Sequence, residues 1–324
     1  MTAPAGLVGD IGGTHARFAL AVKGRGRSQI RDAKTLDNSG HASIEAAIEA
    51  YLKDVGGERP ERAVLAVAGP ITDGAVHFTN CDWTVSETRL RSEGGFAMAR
   101  LINDFAAQAL GAPSVSADQI RPLGPSMPGQ ADAVIAVLGP GTGFGLAGLV
   151  RQGERQRVLP TEGGHAGFAP VDEVEVQIWR FLQGRHGRVS IERICSGQGL
   201  YDLYLALAGI EGVKLGCADE REVQAASRPG GEALAAKAVD RFCRILGSAA
   251  GDIALTLGAR GGVYVTGGVA QRLADPLASG GFRQRFEDKG RFRAYLAAIP
   301  TSLILEPYAA LIGAASVLDE DQLG

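Results

Sequence analysis

The sequence predicts a two-domain α/β protein organised on a duplicated, glycine-tipped β-hairpin, and three observations carry that reading. Leu7 to Val22, LVGDIGGTHARFALAV, runs as an apolar strand, a glycine turn and a second strand of alternating residue types. The pattern returns at Val134 to Val150, VIAVLGPGTGFGLAGLV, with Gly139, Gly141, Thr142 and Gly143 toward its tip, which makes an internal repeat. Around and between the hairpins, strand-like and helix-like segments alternate. With 324 residues, 45% of them apolar, the chain has material for about two cores.

The hairpin tips suggest their own chemistry. Gly12 and Gly13 leave amides with no side chain in front of them and Thr14 adds a hydroxyl, so one anion, such as a phosphate, can collect several hydrogen bonds. Asp10 beside a phosphate would repel it unless a cation such as Mg²⁺ lies between, which points to a metal-bound nucleotide. Neither tip carries the Gly-Lys-Ser/Thr of a Walker loop, and a dinucleotide fingerprint needs a helix after its glycines where strands follow here. Taken singly, each tip is also what an ordinary hairpin uses.

Composition removes other classes. A net charge of −3 and a pI near 6.0 offer no basic surface for nucleic acid. No run approaches the roughly 18 apolar residues of a membrane span, and the opening MTAPAGLVGD has neither a basic segment nor a long apolar core, so a cytoplasmic protein is expected. Cys81, Cys195, Cys217 and Cys243 have no zinc-ligand spacing and read as reduced and structural. Only six of the 33 basic residues are lysine and none lies in a tip, which leaves metal, backbone or arginine to neutralise phosphate, Arg17 being the nearest arginine; a solvated strand residue is the equal alternative for it.

In chain order, Lys23 to Lys34 is expected to hold a third strand, His41 to Leu52 an amphipathic helix, and Arg62 to Ala68 a buried strand. TNCDW, within His77 to Val85, reads as a polar loop; Asn80 there is either a partner for a sugar hydroxyl or, more commonly, a turn asparagine. In ARLINDFAAQAL, Ala99 to Leu110, a strand passes to a helix at Asn103-Asp104. Asp104 suits a helix N-cap; it equally suits a proton acceptor, since ligands of open α/β sheets sit at the carboxyl ends of strands. RPLGPSMPGQ, between Asp118 and Asp132, reads as a passage between domains. PTEGGHAGFAP, residues 160–170, has too few apolar residues for a core element; Glu162 and His165 lack a third metal ligand and suit hydroxyl recognition, with plain solvation as the alternative. Asp172 to Leu182 is expected to be a helix burying Ile178, Trp179 and Phe181. Glu192 is expected in a first helical turn, where acidic residues are favoured whatever their function. Gly231 to Gly258 is the longest helix by its repeat of apolar residues; GVYVTGG places Gly267 and Gly268 at a strand end fit for a nucleoside; and Leu303 to Leu318 is expected to pack on the first domain.

Taken together, GDIGGTHAR, TNCDW, LINDF, GPGTGFG, EGGHAG, ERICSG and VTGG, in that order over nearly the whole chain, resemble bacterial glucokinases of the hexokinase and actin-like ATPase superfamily. The resemblance implies a two-domain actin-like ATPase (ribonuclease H-like) fold, with residues 1–112 and 303–324 in the small domain and 113–302 in the large one. It implies an enzyme that phosphorylates glucose at its 6-hydroxyl with ATP and Mg²⁺, and a homodimer. By the same resemblance Asp104 is the general base, and Asn103, Glu162, His165 and Glu192 bind the other hydroxyls. Gly9, Asp10, Ile11, Gly12, Gly13 and Thr14 hold ATP phosphates together with Gly139, Gly141, Thr142 and Gly143; Asp10 stands near the metal, and Gly267 and Gly268 near adenosine. The related repressor/kinase branch carries a cysteine-rich zinc motif soon after its glycine-histidine pair, whereas the next cysteine after His165 here is Cys195. His15, Gln198 and Ala310 depart from the family pattern without removing a catalytic group. The competing readings are a kinase of another hexose on the same fold and a non-catalytic sugar- or nucleotide-sensing regulator; an added DNA-binding module would favour the latter, and none is visible before Leu7.

Overall fold

A computed structural model describes residues 4–23, 28–78, 81–153 and 155–320. The chain forms two compact units, Met1–Ala117 with Glu306–Gly324, and Asp118–Leu305.

In the first unit the strands are β1 (Gly6–Ile11), β2 (His15–Lys23), β3 (Ser28–Asp37), β4 (Arg62–Val67), β5 (Ala75–His77), β6 (Thr84–Ser86) and β7 (Met98–Asn103). Five of them make a sheet in the order β3-β2-β1-β4-β7. The hairpin strands and β3 pair antiparallel, whereas β4 and β7 run parallel to β1. Parallel neighbours need a crossover, and one is the helix Ile44–Asp54, capped by the Ser43 hydroxyl and burying Ile44, Ala47, Ile48, Tyr51 and Leu52. The described part of TNCDW, residues 81–83, is a loop as expected, and it lies between β5 and β6, which form a small hairpin. Its tryptophan is core: Trp83 is buried and donates its indole N–H to the His41 carbonyl. Asn80 lies outside the described residues.

The second unit contains β8 (Ile120–Pro122), β9 (Ile135–Pro140), β10 (Phe144–Gln152), β11 (Arg155–Thr161), β12 (Gly262–Val265) and β13 (Thr301–Ile304), in the order β11-β10-β9-β12-β13-β8. Its first five positions repeat the first sheet, with β9 and β10 as the hairpin and β12 and β13 parallel to β9. The internal repeat is therefore a repeat of topology as well as of sequence. The 25-residue helix Ala233–Leu257 buries Leu234, Ala238, Phe242, Ile245, Ala249 and Ile253 and ends on Gly258 in the left-handed region. In the helix Glu173–His186 the expectation for the aromatic residues is corrected. Ile178 and Leu182 are the buried pair, while Trp179 and Phe181 are only partly covered, because the inner stripe at spacing four runs through 178 and 182.

The last segment divides between the units: β13 completes the second sheet and the helix Ala309–Glu320 belongs to the first unit. There it lies on the helix Asp104–Gly111 at a crossing made by two glycines. A Cβ on Gly313 would collide with the Ala107 carbonyl oxygen, and one on Gly111 with that of Ala309. Gly313→Ala should therefore overpack the crossing and lower unfolding free energy by about 2 kcal/mol or more in denaturant titration. Gly209→Ala, on an open face of the helix Gly197–Glu211, should instead stabilise by about 0.5 kcal/mol or more. Equal effects would remove the crossing as the cause.

Candidate active site

In the first unit the parallel register sets Ile11, Val67 and Asn103 side by side, so the Gly12–Thr14 tip and the Asn103-Asp104 junction leave the sheet at the same carboxyl edge. Two strand spacings separate them, about 10 Å. The tip is a closed turn: the Gly12 N–H donates to the His15 carbonyl at 3.0 Å. Its outward geometry is fixed by Asn38, whose N–H donates to the Thr14 carbonyl at 2.9 Å and whose Nδ2 donates to the Gly12 carbonyl at 2.8 Å. Among the described residues the Gly13 and Thr14 amides enter no such bond.

At the junction, the helix cap is Asn103 rather than Asp104. The Asn103 Oδ1 accepts from the N–H groups of Phe105 and Ala106, at 3.0 and 3.1 Å. Asp104 is consequently the first residue of the helix Asp104–Gly111, with one carboxylate oxygen accepting from the Phe105 N–H at 2.8 Å. Asp10 sits directly across from Arg17 in the β1–β2 register and pairs with its guanidinium at 2.9 Å. Burial pushes the Asp10 carboxyl above the usual carboxylate range, against the pull of Arg17. Arg17 is thus engaged by a carboxylate while its side chain stays 42% exposed to solvent.

The second unit repeats the closed turn. The Gly141 N–H donates to the Gly143 carbonyl at 2.8 Å, the Gly141 carbonyl accepts from the Gly197 N–H at 2.9 Å, and among the described residues the Thr142 and Gly143 amides enter no bond of this kind. Glu192, in the first turn of the helix Ile191–Ile194, is fastened to this hairpin: its Oε2 accepts from the Phe144 N–H at 3.0 Å. Its other oxygen lies 3.9 Å from Nδ1 of His165, whose side chain is 60% exposed and open to a ligand. Glu162 is exposed and opens the turn Gly163–His165, its carbonyl accepting from the His165 N–H. The glycines between them are required by packing, since a Cβ on Gly164 would strike the Phe144 carbonyl and one on Gly163 the Leu146 side chain.

Four residues expected to touch phosphate or nucleoside also have packing reasons for their identity. Gly9 lies within β1 against Leu65, and Gly139 within β9, where a Cβ would collide with the Thr266 carbonyl. Ile11 is a fully buried strand residue. Gly267 has φ +93° and approaches the Pro140 carbonyl so closely that a Cβ would stand 2.5 Å from it; Gly268 then opens the helix Gly268–Arg272. Asn38 and Gly197, which pin the two tips, had no role assigned from the sequence, although Asn38 stands in a turn-like DNSG and Gly197 ends the quoted ERICSG. The departures from family pattern are accommodated: Gln198 donates to the buried Asp202 at 3.0 Å, and Ala310 is buried with Ala66 and Ala107.

Metal chemistry can be tested against the donor set. Among the described residues no group of three or more histidine, cysteine, aspartate or glutamate side chains could hold an ion. A lone carboxylate beside a phosphate-sized tip fits a magnesium that arrives on a nucleotide, which typically uses one or two carboxylates, waters and the phosphates themselves.

The glucokinase family model matches residues 7–321. A glucokinase of a Caulobacter species is 50% identical over 317 residues, 98% of this chain and 95% of the relative. The crystal structure of a glucokinase from an Antarctic psychrotroph superposes with a TM-score of 0.89 at 36% identity, covering 99% of this chain and 100% of that one. A repressor/kinase-branch glucokinase from Streptomyces griseus, solved with glucose and AMPPNP, shares the fold, with a TM-score of 0.63 at 20% identity, covering 97% of this chain and 99% of that one. The fold is that of the actin-like ATPases, and the chain belongs to the glucokinase family.

Proposed function

We propose that this chain phosphorylates glucose at its 6-hydroxyl with ATP as donor and Asp104 as general base. The observation that supports the base most directly is the cap: Asn103 already accepts from the Phe105 and Ala106 N–H groups, Asp104 shares the first of these, and its carboxylate stands at a strand end where ligands of such sheets bind. In the reaction the sugar oxygen attacks the γ-phosphorus, its proton passes to Asp104, the bond to the β-γ bridging oxygen breaks and ADP leaves. The Gly13 and Thr14 amides of the first tip and the Thr142 and Gly143 amides of the second would hold phosphate oxygens, with Gly267 and Gly268 near the nucleoside. Asp10 would hold the magnesium carried by the nucleotide. When bound, that ion screens the charge on the phosphoryl oxygens. Asn103, through the Nδ2 that its cap leaves over, with Glu162, His165 and Glu192, would meet the remaining hydroxyls. The AMPPNP and glucose held by the Streptomyces relative are in keeping with this pair of substrates. A homodimer in the cytoplasm completes the proposal on family resemblance.

Asp104→Asn should lower kcat by at least about 10²-fold while glucose still binds, because only proton acceptance is lost. Activity within a few-fold of the parent would reduce Asp104 to a structural residue. Sugar choice would follow from Glu162, His165 and Glu192, since a site built to bond a hydroxyl leaves polar groups unpaired when a sugar misplaces it. In a coupled ADP-release assay glucose should give the highest kcat/KM against galactose, fructose and N-acetylmannosamine, and Glu162→Gln should weaken glucose use without a new preference. A different best sugar would keep the kinase and change its substrate; no turnover with any sugar would favour a sensing regulator.

A further inference from the structure

We infer that Asn38 is a positioning residue for phosphoryl transfer, setting the first glycine tip in the shape that receives ATP phosphates; the inference rests on the proposed kinase activity. Asn38 follows the last residue of β3 and is 3% exposed. From that one position it grips both ends of the tip, by its own N–H on the Thr14 carbonyl and by Nδ2 on the Gly12 carbonyl. Two carbonyls turned toward Asn38 cannot turn toward an incoming anion, which they would repel, and the intervening Gly13 and Thr14 amides stay available to it.

The carboxamide orientation is settled by its partner, since the flipped form would set Oδ1 against the Gly12 carbonyl. The consequence is an exposed preference: Oδ1 is buried and has no hydrogen-bond partner among the described residues, while Nδ2 also reaches Cys81 Sγ at 3.8 Å. A buried acceptor without a donor opposes folding. A position selected for stability alone has no use for that oxygen, whereas one that must donate to the Gly12 carbonyl requires the amide that comes with it. Asn38 touches no substrate in this account. It acts through the tip, and its effect should therefore fall on ATP and spare the sugar.

The test is steady-state kinetics on the full chain with ATP and glucose varied separately, for Asn38→Asp and Asn38→Ser, each checked for folding by circular dichroism. The first replaces the donor by an oxygen facing a carbonyl; the second keeps the N–H contact to Thr14 and loses the one to Gly12. Both should raise KM for ATP by about tenfold or more and leave KM for glucose within about twofold. An unchanged KM for ATP overturns the inference, as do equal losses for both substrates, which a general structural defect would produce. Failure of both variants to fold would assign Asn38 to the fold and overturn it as well. A parent chain that turns over no sugar with ATP would instead defeat the kinase reading, so the two failures are distinguishable.

Discussion

The structure depends on how a three-residue turn disposes of its own backbone groups. In each hairpin the first amide of the tip closes the turn and a tip carbonyl is pinned from outside, by Asn38 in one unit and by Gly197 in the other. Among the described residues two tip amides enter no backbone bond each time, Gly13 and Thr14, then Thr142 and Gly143. Backbone donors held in place by the fold need no reorganisation when an anion arrives, which is why such sites stabilise charge well. Everything around the tips serves to hold them. The parallel strands beside β1 and β9 bring further residues to the same edge of each sheet, and the glycines at 139 and 267 allow the backbone segments of the second unit to touch.

The carboxylates near these edges are treated differently by their surroundings. Asp10 is desolvated, which makes its charge costly, and the Arg17 guanidinium offsets only part of that cost. Asp104 sits at the start of a helix whose capping is done by its neighbour, and Glu192 is tied to the Phe144 amide while facing His165. These different surroundings are in keeping with the roles we propose for the three in phosphoryl transfer. The helix bearing Asp104 is itself packed through the glycine crossing onto Ala309–Glu320, so the last helix of the chain supports the element that carries this carboxylate.

Much of this was legible in the sequence because it is written in short-range patterns. The two hairpins, the helix after Ser43, the Asn103-Asp104 junction and the long helix ending at Gly258 each follow from apolar periodicity and glycine placement. Strands β8 and β11 were not legible. The first is three residues long, and the second, RQRVLPT, has no buried residue, so its existence depends on pairing with β10 rather than on any apolar signal. The burial of Trp83 was not legible for the converse reason: its polar neighbours hide a side chain bound for the core. Gly9 and Gly139 have a further reason to be glycine that no local pattern shows, the Leu65 side chain and the Thr266 carbonyl that a Cβ would meet. Asn38 was invisible because its partners lie at residues 12, 14 and 81, contacts that no local pattern encodes.

The central claim is that the four leftover amides grip the phosphates. It is tested most directly by amide NMR of the ¹⁵N-labelled protein, titrated with a non-hydrolysable ATP analogue and magnesium. The account predicts that the Gly13, Thr14, Thr142 and Gly143 resonances move most and become slowest to exchange, while Gly9 and Gly139 within their strands move little. Saturable binding of the analogue with the tip resonances unmoved would contradict it.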